Sequence, residues 1–218
     1  MPMAISEQQV SAVIAALSPV RLGTYLNAKG FRASATVLDI YVWNALVSSA
    51  MFASLHICEV VVRNGASQAL ELKYGANWPW EVGFERTLSS WGKRELQLAR
   101  HRKQFGAAGR VIADLSLGFW SHLFTAGQDQ HLWIQYLRTV FPHTPLPLSV
   151  EGVRKTIYED IEALRIIRNR IAHHEPIFAY PLEDYQERIF RLVKLRSMET
   201  ANWLSQWEPV SAILKARP

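Results

Sequence analysis

The sequence predicts an all-α fold on three observations. Apolar residues recur at helical spacing along the chain, and no sustained apolar-polar alternation of the kind a half-buried strand requires is found. From Ser34 to Tyr74 there is no proline and one glycine, Gly65, so this stretch reads as one very long helix or as two in succession with a break near Ser48 and Ser49.

The elements follow in order. Ser6 to Leu17 is a first short helix closed by Ser18 and Pro19, and Gly30 ends a second short segment near Tyr25. The long helical stretch stops at Gly75. The Trp78-Pro79-Trp80 loop then leads into a basic helix around Thr87 to Phe105, which carries Lys93, Arg94, Arg100, His101, Arg102 and Lys103. That charge fits a solvated face, or an RNA contact through Arg102 and Lys103. Gly106, Gly109 and Gly118 mark a less regular stretch, after which Gln128 to Val140 reads as a helix stopped by Pro142, Pro145 and Pro147. Two helices remain, Ser149 to His174 and Leu182 to Trp207, separated by Pro176 and Pro181. The proline-rich loop is too short and too apolar to mark a domain boundary and there is no internal repeat, so residues 1–218 read as a single domain.

Composition narrows the function classes. With 218 residues, 49% of them apolar, the chain can bury a substantial core, and nothing indicates disorder or a fibrous repeat. The single cysteine, Cys58, excludes a disulfide framework, fits a reducing compartment and sits in an apolar, core-like stretch. Met1 to Val10 lacks the basic segment and apolar run of a secretory signal, so a mature cytoplasmic chain is expected. Val42 to Cys58 has no Asp, Glu, Lys or Arg, but it is shorter than a span of about 20 residues and is interrupted by Asn44, Ser48, Ser49, Ser54 and His56; a buried core helix is expected there, not a membrane span. Twenty-four Lys and Arg against 19 Asp and Glu give a net charge of +5, which favours a polyanionic partner without naming one. The eight tryptophans fit core or interface positions, or base stacking.

The chemistry concentrates on the helix after Ser149. Ile157, Ile161, Leu164 and Ile171 form one apolar stripe, and Arg168 falls about 20° from its centre, where a guanidinium needs an anionic partner. A carboxylate or a bound phosphate would serve. A structural arginine clamping two helices would look the same. His173 lies at the helix end before Pro176, and Asn169, four residues earlier, can share its face and orient the ring. Arg168 projects about 140° away from His173, so either the last turn unwinds or the pair works in a cleft shared with a second chain.

Metal-free RNA cleavage needs a base for the 2′-hydroxyl, an acid for the leaving 5′-oxygen and a cation for the phosphorane; histidine suits the first two and arginine the third. His173, His174 and Glu175 do not make a metal site, because consecutive helical residues diverge and no carboxylate cluster joins them, and no cofactor motif is found. Cys58 has no histidine at a readable motif spacing, although His56 is near. An arginine and a histidine five apart is weak evidence alone, since Arg138 and His143 repeat the spacing across Pro142.

The surrounding residues carry more. Arg168-Asn169-Arg170-Ile171-Ala172-His173-His174-Glu175-Pro176-Ile177 resembles the R-N-x-x-x-H motif of HEPN ribonucleases, in the form found in Abi-like (AbiD/AbiF-type) phage-defence proteins. Tyr25-Leu26, Tyr41-Val42-Trp43-Asn44, Glu59 to Asn64, Tyr74-Gly75, Leu117-Gly118-Phe119-Trp120 and Leu132-Trp133 follow in the order of that family. The resemblance implies a HEPN-type helical bundle with additional helices, dimerised to join two motifs, and a metal-independent endoribonuclease leaving 2′,3′-cyclic phosphate ends. Arg168, Asn169 and His173 would be catalytic, with His174 supporting them and Arg170 contacting RNA. Its partners would be RNA, a second copy and an RNA or protein antitoxin. The family also carries an acidic residue three positions before a basic one on an earlier core helix; here the match is Glu59 with Arg63 four later, which makes Glu59 the candidate partner of Arg168. A surface pair four apart is the plainer reading of Glu59 and Arg63, but the apolar neighbours of Glu59 favour burial. The alternative function is a catalytically silent HEPN module that binds RNA or protein, and a further one is a scaffold whose tryptophans form a dimer interface.

Overall fold

The computed structural model describes residues 6–28, 30–31, 36–101 and 106–218, and these form twelve α-helices with no strand among the described residues. α1 (Glu7–Leu17) starts at a capping box, in which the Ser6 hydroxyl accepts from the Gln9 N–H and the Gln9 side chain accepts from the Ser6 N–H. α2 (Pro19–Leu26) follows with proline at its first position. α3 (Val37–Tyr74) begins at a second capping box, Thr36 with Asp39, and runs 38 residues to Gly75 without a break at Ser48 or Ser49. By length and composition it could cross a membrane. Its neighbours are α2, α7, α8, α9, α10 and α12, and its buried positions extend from Ile40 to Leu70, so it forms the central core helix.

A separate short helix, α4 (Val82–Thr87), comes first, and the basic helix starts later than expected, as α5 (Ser90–Arg100), because the Ser89 side chain accepts from the Gly92 N–H and caps it. Arg102 and Lys103 lie outside the described residues. The stretch expected to be irregular holds α6 (Ala108–Asp114) and α7 (Leu117–Leu123), the latter capped by Ser116. A π turn over Asp129–Trp133 precedes α8 (Ile134–Val140). Its Asp129 carboxylate accepts two hydrogen bonds, at 2.8 and 3.1 Å, from the buried Arg154 of α9 (Val150–Ala172). Leu182 to Trp207 is not one helix. It breaks at Ser197 (φ −155°, ψ 120°), whose hydroxyl caps α11 (Met198–Trp207) after α10 (Leu182–Arg196) has ended. A last short helix, α12 (Val210–Lys215), returns to pack on α3.

Trp43, Trp78, Trp120 and Trp133 are buried, while Trp91, Trp203 and Trp207 are exposed. α9 and α10 are joined through Asp160, which is buried and accepts from Arg188 at 2.6 Å and from Arg191 at 2.7 and 2.8 Å. This clamp holds α9 beside α10, and both helices pack on α3, where the candidate site forms.

Candidate functional site

The apolar stripe of α9 is buried where the sequence places it, at Ile157, Ile161, Leu164 and Ile171, but Arg168 is not at its centre. Ile167 is fully buried. In an ideal helix a stripe with seven-residue spacing drifts about 20° per heptad, so Leu164, Ile167 and Ile171 centre about 65° from Arg168. The guanidinium therefore reaches the edge of the core, with 36% of its side chain exposed. There it faces α3, and its Nε lies 3.8 Å from Glu59 Oε2, close enough for an ion pair but too long for a hydrogen bond. The Nε is buried and has no hydrogen-bond partner, and the same holds for Arg63 Nε.

Phe52, Leu55, His56, Glu59, Val60, Arg63 and Arg168 line one small cleft of about 110 Å³. His56, Glu59 and Arg63 stand at spacings of three and four, on one face of α3. The cleft thus collects two guanidiniums, one carboxylate and one imidazole. Glu59 is half-buried, and no ion pair joins it to Arg63 among the described residues, so the Arg63 guanidinium keeps unused hydrogen-bonding capacity.

The other half of the motif is elsewhere. Asn169 and His173 are exposed, and no hydrogen bond joins their side chains among the described residues; what links them is the backbone bond from the His173 N–H to the Asn169 carbonyl, 3.0 Å. His173 is the C-cap of α9, and neither it nor Asn169 lines the Arg168 cleft. The last turn does not unwind. The Glu175 N–H donates to the Arg170 carbonyl at 2.8 Å and the His174 N–H to the Ile171 carbonyl at 3.0 Å, a Schellman closure with His174 in the left-handed region at φ 56°.

Arg170 secures that closure. Its guanidinium pairs with Glu175 at 2.9 Å, donates to the Pro176 carbonyl and lies 5.1 Å above the Tyr180 ring. From α2, the Arg21 guanidinium donates to the His174 carbonyl. Buried Asn44 of α3 accepts the Ile177 N–H at 2.8 Å.

The chain matches no family model, no curated protein and no solved structure.

Beside the turn is a larger pocket of about 740 Å³ that sequence reasoning did not assemble, formed by Arg21 and Tyr25 of α2, several α3 residues from Tyr41 to Phe52, and Ala172, His174 and Glu175. One signal for it was legible: Asn44 and Ser48 sit four apart, on one face of a stretch without charged residues. Arg21 gave none. Phe52 belongs to the walls of both the small cleft and the large pocket, so the two are neighbours.

Burial pushes the Cys58 thiol far above its ordinary range, and the Asp160 and Glu59 charges add to the effect. It is a packing residue, inert as a nucleophile. No group of three or more His, Cys, Asp or Glu side chains that could hold a metal ion occurs among the described residues.

Proposed function

We propose that the protein is a metal-independent endoribonuclease of the HEPN type, acting on RNA in the cytoplasm in phage defence or as a toxin restrained by an antitoxin. The observation that carries this reading is the cleft of Arg168, Arg63, Glu59 and His56 at the end of the Arg168-Asn169-x-x-x-His173 motif. Two guanidiniums with buried, unpartnered Nε atoms are suited to a phosphodiester, which offers several acceptor oxygens at once. In this reading Arg168 binds the scissile phosphate and steadies the charge of the phosphorane. Glu59 keeps the Arg168 guanidinium turned toward α3. His173 moves the proton of the 2′-hydroxyl or of the leaving 5′-oxygen, and Asn169, four residues earlier on the same exposed face, would orient the ring once a second chain and RNA cover that face.

Because Asn169 and His173 lie on an exposed face outside the Arg168 cleft, the reading requires two copies of α9 to face each other. A basic homodimer with a composite cleft follows from it.

The test is cleavage of total RNA by the purified protein in EDTA, followed by mapping of the cut ends. Cleavage leaving 2′,3′-cyclic phosphates is expected, with a loss beyond about a hundredfold for His173→Ala, the scale of a general acid or base. Arg168→Ala should be equally inactive while remaining folded. His56 supplies the internal comparison. Loss of cleavage in His56→Ala with none in His173→Ala would move the proton transfer to α3 and overturn the role given to His173.

A further inference from the structure

The large pocket beside the α9 terminus has the size and the lining of a small-ligand site. Its volume, about 740 Å³, falls within the range of about 300 to 1,000 Å³ typical of small-ligand sites. Two of its walls are aromatic. Tyr41 is held by Tyr25 at a centroid distance of 5.1 Å, and Phe52 is 41% exposed. A flipped base needs such faces, because RNA is read largely through bases splayed out of the strand and stacked on aromatic side chains.

The polar groups are few and fixed in place. Asn44 is 5% exposed; its Oδ1 is occupied by the Ile177 N–H, while its Nδ2 donates to no group among the described residues. That orientation leaves an amide donor for the ring nitrogen or carbonyl oxygen of a base. Ser48 Oγ lies buried at the same wall with no hydrogen-bond partner. Arg21 is anchored by the His174 carbonyl, and the Glu175 charge is compensated by Arg170 at 2.9 Å, so the mouth does not repel an anionic strand. Tyr25 is buried, and desolvation raises its phenol above the ordinary value of 10.0.

Position links the two cavities. Phe52 separates this pocket from the cleft of Arg63 and Arg168, so a phosphate in the cleft and a base in the pocket would belong to adjacent parts of one nucleotide chain. We infer that the pocket lined by Tyr41, Asn44, Ser48, Phe52 and Arg21 seats a single RNA nucleobase next to the phosphate bound at Arg168 and thereby selects where the strand is held. The inference rests on the reading of the Arg168 cleft as a phosphate site, but its test does not depend on cleavage.

The four nucleoside 5′-monophosphates and ribose 5-phosphate, as the baseless control, are titrated into the intact protein by calorimetry or by NMR. At least one monophosphate should bind about tenfold or more tightly than ribose 5-phosphate, the scale of one stacked base. Ala45→Trp, at an exposed position on the pocket wall, should fill the space and erase the difference, and Phe52→Ala should erase it by removing a stacking face. A circular dichroism melt confirms that each variant is folded. Equal binding of all five compounds, or discrimination that survives in both variants, overturns the base pocket. The two readings fail separately. A protein that cleaves RNA but does not discriminate among the compounds loses the pocket and keeps the endonuclease. One that discriminates but cuts no RNA keeps the pocket and loses the endonuclease.

Discussion

His174 holds its backbone at φ 56°, a conformation that costs an L-residue other than glycine about 1 to 2 kcal/mol. Its neighbours enforce it: the Schellman bonds from Glu175 and His174, the Arg170–Glu175 pair and the Arg21 bond all converge on this turn. Glycine would adopt the same angles without strain, although it gives back part of the gain through the entropy of the unfolded chain. His174→Gly should therefore raise stability by up to about 1 kcal/mol, a rise in Tm of about 2 to 4 °C for a chain of this size. Differential scanning calorimetry reads this directly, and a lower Tm would show that the imidazole contributes more than the strain costs. Arg168 teaches a related lesson. The sequence places it inside the apolar stripe because angles counted from Ile157 ignore the drift of that stripe, and the fully buried Ile167 carries the drift. The need for an anionic neighbour was legible from residue type, whereas the exposed edge was not.

The helical character of residues 37–74 was legible because the stretch has no proline, but whether it held one helix or two was not; burial along its length carries α3 unbroken past Ser48 and Ser49. The α10 and α11 pair was not legible as two elements. Ser197 looks like any helical serine until its hydroxyl is seen to accept from the Thr200 N–H, a competition between side chain and backbone that spacing does not reveal. Gly65 shows the same limit in reverse. Helix propensity alone makes alanine better than glycine in a helix interior by about 1 kcal/mol. Here a Cβ would stand 2.7 Å from Phe141 Cζ, and that ring is fully buried against Trp133 and Phe124. Overpacking of this kind costs about 1 to 3 kcal/mol and outweighs the propensity gain. Gly65→Ala is expected to lower the urea midpoint with an unchanged m-value, and adding Phe141→Leu should recover part of the loss. A rise in the midpoint for the single variant would mean that the ring has room to move.

At the scale of the whole molecule, the proposed chemistry depends on a surface that one chain leaves open. On α9, Ile166, Asn169 and His173 stand at spacings of three and four on one exposed face, and Ile166 is 50% exposed. An apolar side chain beside two polar motif residues fits a face that meets its own copy, since a twofold axis brings each such patch against itself. Arg168 points instead toward Glu59 on α3. Facing two copies of α9 would set the Arg168 cleft of one chain near His173 of the other, supplying what a single helix separates by about 140°. Ile166→Glu places like charges against each other across the axis and should convert the dimer to a monomer in light scattering, with cleavage lost and Tm essentially unchanged. Mixing Arg168→Ala with His173→Ala chains should then restore part of the activity, because one of the two composite sites in each mixed dimer keeps both an arginine and a histidine. No recovery in a mixture proved to contain heterodimers would place both residues of a site in one chain. A wild-type monomer cleaving at full rate would remove the dimer from the mechanism altogether, leaving His56 as the imidazole that shares a cleft with Arg168.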